Sequence, residues 1–152
     1  MTASSVQARK EQHADMASRI LIADDEAHIL HVVSLKLRNA GYQVITAVDG
    51  EEALDLCMIE RPDLVITDYQ MPLMSGLQLC KCMRANPATR DVPAILLTAR
   101  EFDIEPEEIR EAKISAVMAK PFAPRELLEK VKELLAKAHE APSRPVSRLG
   151  DL

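Results

Sequence analysis

The sequence contains no tryptophan and only two tyrosines and two phenylalanines in 152 residues. Any core built from it must be aliphatic. It has three cysteines, an odd and small number that excludes a disulfide framework. Cys80 and Cys82 are too few for a zinc site, and no histidine pair lies near them in sequence. With Cys57 they read as small buried or half-buried hydrophobes. His28 and His31 share a helix face, but surface pairs commonly do, and no metal site is read there. A basic excess is also missing. Nineteen Lys and Arg stand against 24 Asp and Glu, a net charge of −5, which argues against direct binding to nucleic acid phosphates. No apolar run approaches the roughly 20 residues of a membrane span. The N-terminus lacks the apolar segment of a signal peptide. No membrane insertion and a cytoplasmic location are therefore expected.

What is present suits one domain with a single core: 47% of residues are hydrophobic and 28% charged. Residues 1–17 are polar and unpatterned and read as a flexible N-terminal arm, and 139–152 read as a flexible C-terminal tail. Between them, in 18–138, short β-rich runs at Ile20–Ala23, Tyr42–Ala47, Leu64–Thr67, Ala94–Thr98 and Ala116–Ala119 alternate with helical patterns. The first helix is expected from Glu26 to Ala40, stopping at Gly41, with Ile29, Val33, Leu37 and Ala40 as its apolar stripe. The second starts after Asp49-Gly50 and ends before Pro62. The third starts after Ser75-Gly76 and ends near Asn86-Pro87. The fourth spans Pro106 to Lys113, and the fifth runs from Pro124 to Ala138 with Leu127, Leu128, Val131, Leu134 and Leu135 inward. This alternation predicts an α/β fold, a doubly wound five-stranded parallel sheet with helices on both faces.

In such sheets ligands bind beyond the carboxyl ends of the strands. The first strand ends in Asp24-Asp25, the third in Asp68, the fourth in Thr98 and the fifth in Lys120. A lone Asp at a strand end is commonly a turn or cap residue. Three carboxylates, a hydroxyl and an ammonium delivered to one edge are a different matter. Clustered carboxylates repel, so one must bind its proton more tightly or a cation must join them. A hard divalent ion such as Mg²⁺ suits oxygen ligands. A metal, an ammonium and a hydroxyl around a carboxylate fit phosphoryl transfer, with Asp68 as the nucleophile that forms an acyl phosphate.

The chain at this point resembles the receiver domains of two-component response regulators. The resemblance rests on "ILIADDE", "LVITDYQMP", "PAILLTA" and "AVMAKPF", in that order, and covers residues 18 to 138. It implies the flavodoxin-like strand order 2-1-3-4-5. It implies that Asp68 accepts a phosphoryl group from a sensor histidine kinase or a phosphotransfer protein. Asp25, Asp68 and the Gln70 backbone carbonyl would hold Mg²⁺, with Asp24 acting mainly through water. Lys120 and Thr98 would contact the phosphoryl group, and the Lys120–Pro121 peptide would be cis. A stand-alone receiver would signal by phosphorylation-dependent docking to a downstream protein target, and a phosphorylation-dependent homodimer stays open. The alternative is a pseudo-receiver, a protein-binding module without phosphorylation. A phosphatase of the haloacid dehalogenase type would need a second Asp where Gln70 stands.

Some positions depart from the family's usual pattern. Ala123 stands where a Ser or Thr commonly caps the last helix, a loss of about 1 kcal/mol. Lys36 falls inside the apolar stripe of the first helix and is expected to snorkel to its edge. Leu30 and Leu35 are expected to form a small exposed patch, read as scattered surface hydrophobes or, by the resemblance, as kinase docking. Val117 replaces the aromatic residue that swings in many receivers. Its stiff β-branched side chain implies that a signal travels through the loop after the fourth strand instead.

Overall fold

The computed structural model describes residues 18–100 and 104–140. The expected N-terminal arm lies outside the described residues, as do 141–152 of the expected tail and the stretch 101–103 in the loop after the fourth strand. Among the described residues five strands alternate with five helices: β1 (Arg19–Ala23), α1 (Ala27–Asn39), β2 (Gln43–Ala47), α2 (Gly50–Glu60), β3 (Leu64–Asp68), α3 (Gly76–Arg84), β4 (Ala94–Thr98), α4 (Pro106–Glu111), β5 (Ala116–Ala119) and α5 (Pro124–Glu140). The strands form one sheet in the order β2-β1-β3-β4-β5, with every neighbouring pair parallel. This is the doubly wound order expected from the sequence.

Side chains alternate across the central strands, so the two faces of the sheet carry separate aliphatic layers. Ile20, Ile22, Leu64, Ile66, Ile95 and Leu97 point to one face and pack with Val33 and Leu37 of α1 and Leu127, Leu128, Val131, Leu134 and Leu135 of α5. Leu21, Ala23 and Val65 point to the other and meet Ala53 and Cys57 of α2 and Leu79 and Met83 of α3. Each fully buried Ile or Leu contributes roughly 1.5–3 kcal/mol. Six of them in one layer outweigh the cost of a few buried polar groups at the strand ends. The edge strands β2 and β5 are only partly covered, as edges are.

The helix signals work as chemistry predicts. The Asp49 carboxylate accepts from Glu52 N–H at the start of α2. Ser75 and Gln78 form a reciprocal capping box at the start of α3. Gly41 takes φ 101° after α1, as a stop residue must. Cys57 and Cys80 are buried and Cys82 is half-buried, and burial pushes the Cys57 and Cys80 thiols up to about 12, which leaves them unreactive.

Two expectations on α1 are corrected. Ala40 is exposed, because the helix ends at Asn39 and position 40 no longer follows the stripe. Ser34 takes an inward place between Val33 and Leu37 instead. Leu30 does not join an exposed patch. It lies one turn before Ser34 and packs, half-buried, against the core. Leu35 is exposed, and Lys36 is half-buried.

α4 has no fully buried residue, and Lys81 of α3 pairs with its Glu108 and Glu111. Ile104 and Ala112 are buried on either side of it. Arg84, at the end of α3, donates to the carbonyls of Ala112 (2.8 Å) and Lys113 (3.1 Å) beyond α4 and to that of Arg90 (2.8 Å). Burial lowers the basicity of this guanidinium, so its bonds to carbonyl oxygens replace lost water. Arg84→Met keeps the stem and removes the donors. It is expected to lower stability by about 1–2 kcal/mol in urea denaturation and to speed amide exchange across 106–113. Unchanged stability and exchange would contradict this anchoring role.

Candidate functional site

The sheet register aligns the strand ends. Ala23 of β1 pairs with Thr67 of β3, so Asp24 and Asp68 emerge level with each other on neighbouring strands. Thr98 of β4 pairs with Ala119 of β5, and Lys120 N–H donates to the Thr98 carbonyl at 2.8 Å. Lys120 therefore leaves the sheet beside Thr98, and its long side chain reaches back across two strands. The Lys120–Pro121 peptide is cis, as the resemblance implied.

Carboxylate oxygens of Asp24, Asp25 and Asp68 lie within 4.8 Å of one another. Asp24 is fully buried, Asp68 nearly so, and Asp25 is exposed. The Lys120 ammonium sits at 3.0 Å from Asp24 Oδ2, 3.1 Å from Asp68 Oδ1 and 2.9 Å from Glu26 Oε1. Asp24 Oδ1 accepts from Glu26 N–H at 2.9 Å, so both oxygens of this buried carboxylate are engaged. The Thr98 hydroxyl accepts from Arg100 N–H at 3.1 Å and lies 3.2 Å from the Arg100 carbonyl, closing the loop after β4 on itself. Asp25, Glu26, Asp68, Tyr69, Gln70, Thr98, Ala99 and Lys120 line an open cleft of about 430 Å³.

The electrostatics follow from burial. Loss of water pushes the Asp68 carboxyl up to about 6, with the neighbouring charge of Asp24 adding to the effect and Lys120 opposing it. Burial likewise raises Asp24, partly offset by the Glu26 N–H bond and Lys120. Burial alone would depress the Lys120 ammonium, but its bonds to Glu26 and Asp24 and the field of Asp68 outweigh this and hold it above the ordinary lysine range. One ammonium is thus shared by an excess of carboxylates. Further positive charge at this place would be favourable. The donor set is all oxygen, and Asp25 is free to adjust, so the residues fit a hard divalent cation.

All the side chains expected at the strand tips come together here: Asp24, Asp25, Asp68, Thr98 and Lys120, with Gln70 lining the cleft. Glu26 was not expected among them. Its signal was its place directly after the acidic pair, where it reads equally well as the first residue of a helix. His28 and His31 are exposed on α1 and belong to no group of potential metal ligands among the described residues.

A family model described as "Response regulator receiver domain" matches residues 20–132. The chain is 37% identical over 129 residues to the alkaline phosphatase synthesis transcriptional regulatory protein PhoP of Bacillus subtilis (strain 168). That alignment covers 84% of this chain and 53% of the relative, so the chain spans about half the length of that protein. Among solved structures, the chemotaxis response regulator CheY4 of Vibrio cholerae superposes with TM-score 0.72 at 32% identity, covering 77% of this chain and 98% of that one. The receiver domain of sensor histidine kinase PA1611 from Pseudomonas aeruginosa PAO1, with a magnesium ion coordinated in its active site cleft, superposes with TM-score 0.72 at 28% identity, covering 79% and 98%.

Proposed function

The chain belongs to the response regulator receiver domain family, signalling modules of two-component systems, and from that premise we propose that it accepts a phosphoryl group on Asp68 from a sensor histidine kinase or a phosphotransfer protein. The observation that carries this reading is the Lys120 ammonium held between Asp24 and Asp68 over a cleft that also contains Thr98. Asp68 attacks the phosphorus of a phosphohistidine. An oxygen–phosphorus bond forms, the phosphorus–nitrogen bond breaks, and its electron pair returns to the imidazole. Asp68, with its carboxyl near 6, is mostly ionised at pH 7 and available as a nucleophile. Lys120 neutralises a phosphoryl oxygen, and Asp24 fixes where Lys120 stands. Thr98 turns its hydroxyl from the Arg100 carbonyl toward a second oxygen.

Receiver domains bind Mg²⁺ in an acidic pocket. In this chain Asp25, Asp68 and the Gln70 backbone carbonyl would hold it, with Asp24 acting through water. When bound, the ion neutralises charge on the phosphoryl oxygens. The test is intact-mass spectrometry after treatment with acetyl phosphate. One phosphoryl increment is expected, mapped to the peptide containing Asp68 and lost when the metal is chelated. Labelling at another residue, or none with Mg²⁺ present, would refute the assignment and favour the pseudo-receiver.

The same geometry supports a route for the signal. Turning the Thr98 hydroxyl breaks its bond to the Arg100 carbonyl and so disturbs the loop, and α4 beyond that loop has no fully buried residue. Val117 is half-buried in β5, with a stiff side chain and no ring to move. Phosphorylation then biases residues 99–113 between two arrangements and exposes a surface to a downstream protein. Hydrogen exchange with and without beryllofluoride should differ in 99–113 and stay constant at Val117. The reverse pattern would rule this route out.

A further inference from the structure

The Lys120 ammonium donates to Asp24 Oδ2 at 3.0 Å and to Glu26 Oε1 at 2.9 Å and stands 3.1 Å from Asp68 Oδ1. A phosphoryl oxygen entering beside Asp68 competes with these carboxylates for the ammonium. The three partners are not equivalent. The Asp24 side chain is completely buried and that of Asp68 is 10% exposed, whereas that of Glu26 is 60% exposed. Releasing Asp24 would strand a carboxylate without water. Releasing Glu26 returns its carboxylate to solvent at little cost. Glu26 also occupies the N-cap position of α1, where a side chain commonly accepts from the helix. Its carboxylate makes no capping bond there and is turned to Lys120.

We infer that Glu26 is a positioning residue for phosphoryl transfer, a latch whose exposed carboxylate competes with the phosphoryl group for Lys120. The inference rests on the assignment of Asp68 as phosphoacceptor. In the resting protein Glu26 holds the ammonium within 3.1 Å of Asp68 and keeps it off other anions. During uptake from an acyl phosphate, the Asp68 oxygen–phosphorus bond forms and the donor's phosphorus–oxygen bond breaks, the pair leaving with the carboxylate product. Lys120 exchanges Glu26 for a phosphoryl oxygen in that step. Because the latch stabilises only the unphosphorylated state, it slows uptake and leaves hydrolysis of the phosphorylated protein alone.

Glu26→Gln weakens the bond by removing its charge. Glu26→Asp keeps the charge but shortens the reach by one methylene, and Asp is a good N-cap, so the helix start is not endangered. Uptake from acetyl phosphate is measured at saturating Mg²⁺ in the full chain by intact-mass spectrometry, and decay is followed after removal of the donor. Both variants are expected to take up phosphate about two- to fivefold faster, the range an exposed ion pair supports, with unchanged decay. Three results would overturn the latch: wild-type uptake rates in both variants, acceleration in Glu26→Gln alone (which would mean long-range charge), or decay altered as much as uptake. Wild-type protein that takes up no phosphate at Asp68 would instead overturn the assignment on which the latch rests.

Discussion

Asp68→Asn should abolish phosphoryl uptake and at the same time make the metal-free protein more stable at pH 7. The first effect follows from the role of nucleophile proposed for Asp68. The second follows from the price of holding a carboxylate in that place. Burial and the nearby Asp24 move the Asp68 carboxyl from 3.8 up to about 6. Between those pH values the folded protein holds a proton that the unfolded chain has released. Stability therefore falls as pH rises through this window, and the full penalty is present above about pH 6. A shift of this size corresponds to at most about 3 kcal/mol. The amide keeps the shape without the charge but is a weaker partner for Lys120, so a net gain of about 1–2 kcal/mol is expected. Urea denaturation in a chelator at pH 7 and pH 4 checks it. The variant should lead at pH 7 and the two proteins should converge toward pH 4. A less stable variant at pH 7, or a difference independent of pH, would contradict the account. A divalent ion should narrow the gap by offsetting the carboxylate charge in the wild type.

This destabilised carboxylate was legible in the sequence because its causes are local and repeated. Each strand is a short aliphatic run, and four of the five deliver a polar residue to the same edge once the order 2-1-3-4-5 is adopted. The alternation of strands and helices, with capping residues at Asp49 and Ser75, specifies nearly every element to within a residue or two. The inward stripe of α5 is as expected because its leucines repeat over several turns. α1 was harder to read. Its stripe contains Ser34, a polar residue that periodicity places outside, and it ends one residue before the Ala40 that hydrophobicity alone would include. The place of Glu26 is hidden in the sequence for a related reason. A glutamate at a helix start is ordinary, and its bond to Lys120 joins residues 94 apart in sequence. Nor does any sequence pattern announce that Leu73, an exposed leucine in the loop after β3, takes φ 72° in a region that favours glycine or asparagine.

Close approach of backbones is another feature that only the fold exposes. Gly76 opens α3 directly beneath the end of β3. A Cβ at this position would stand 2.1 Å from the Asp68 carbonyl oxygen and 3.0 Å from Leu96 Cδ1. That oxygen cannot retreat easily, because the buried Thr67 hydroxyl donates to it at 3.0 Å. Gly76 N–H also donates to the Tyr69 carbonyl at 2.8 Å, fixing the separation of the two segments. Gly76→Ala must therefore push the Asp68 backbone away from its place beside Asp24 and Lys120. Overpacking of this kind costs about 3 kcal/mol. A displacement near 1 Å of a reacting group lowers rate by on the order of a hundredfold. Gly50→Ala is the companion variant. Its Cβ would meet the Met74 carbonyl at 2.2 Å, a comparable clash in which none of the atoms met belongs to Asp68. Both variants are expected to lose similar stability in urea denaturation. Phosphoryl uptake from acetyl phosphate, measured well below either unfolding transition, should fall about a hundredfold in Gly76→Ala and much less in Gly50→Ala. Equal losses of uptake would mean that general loosening, rather than the placement of Asp68, limits the reaction.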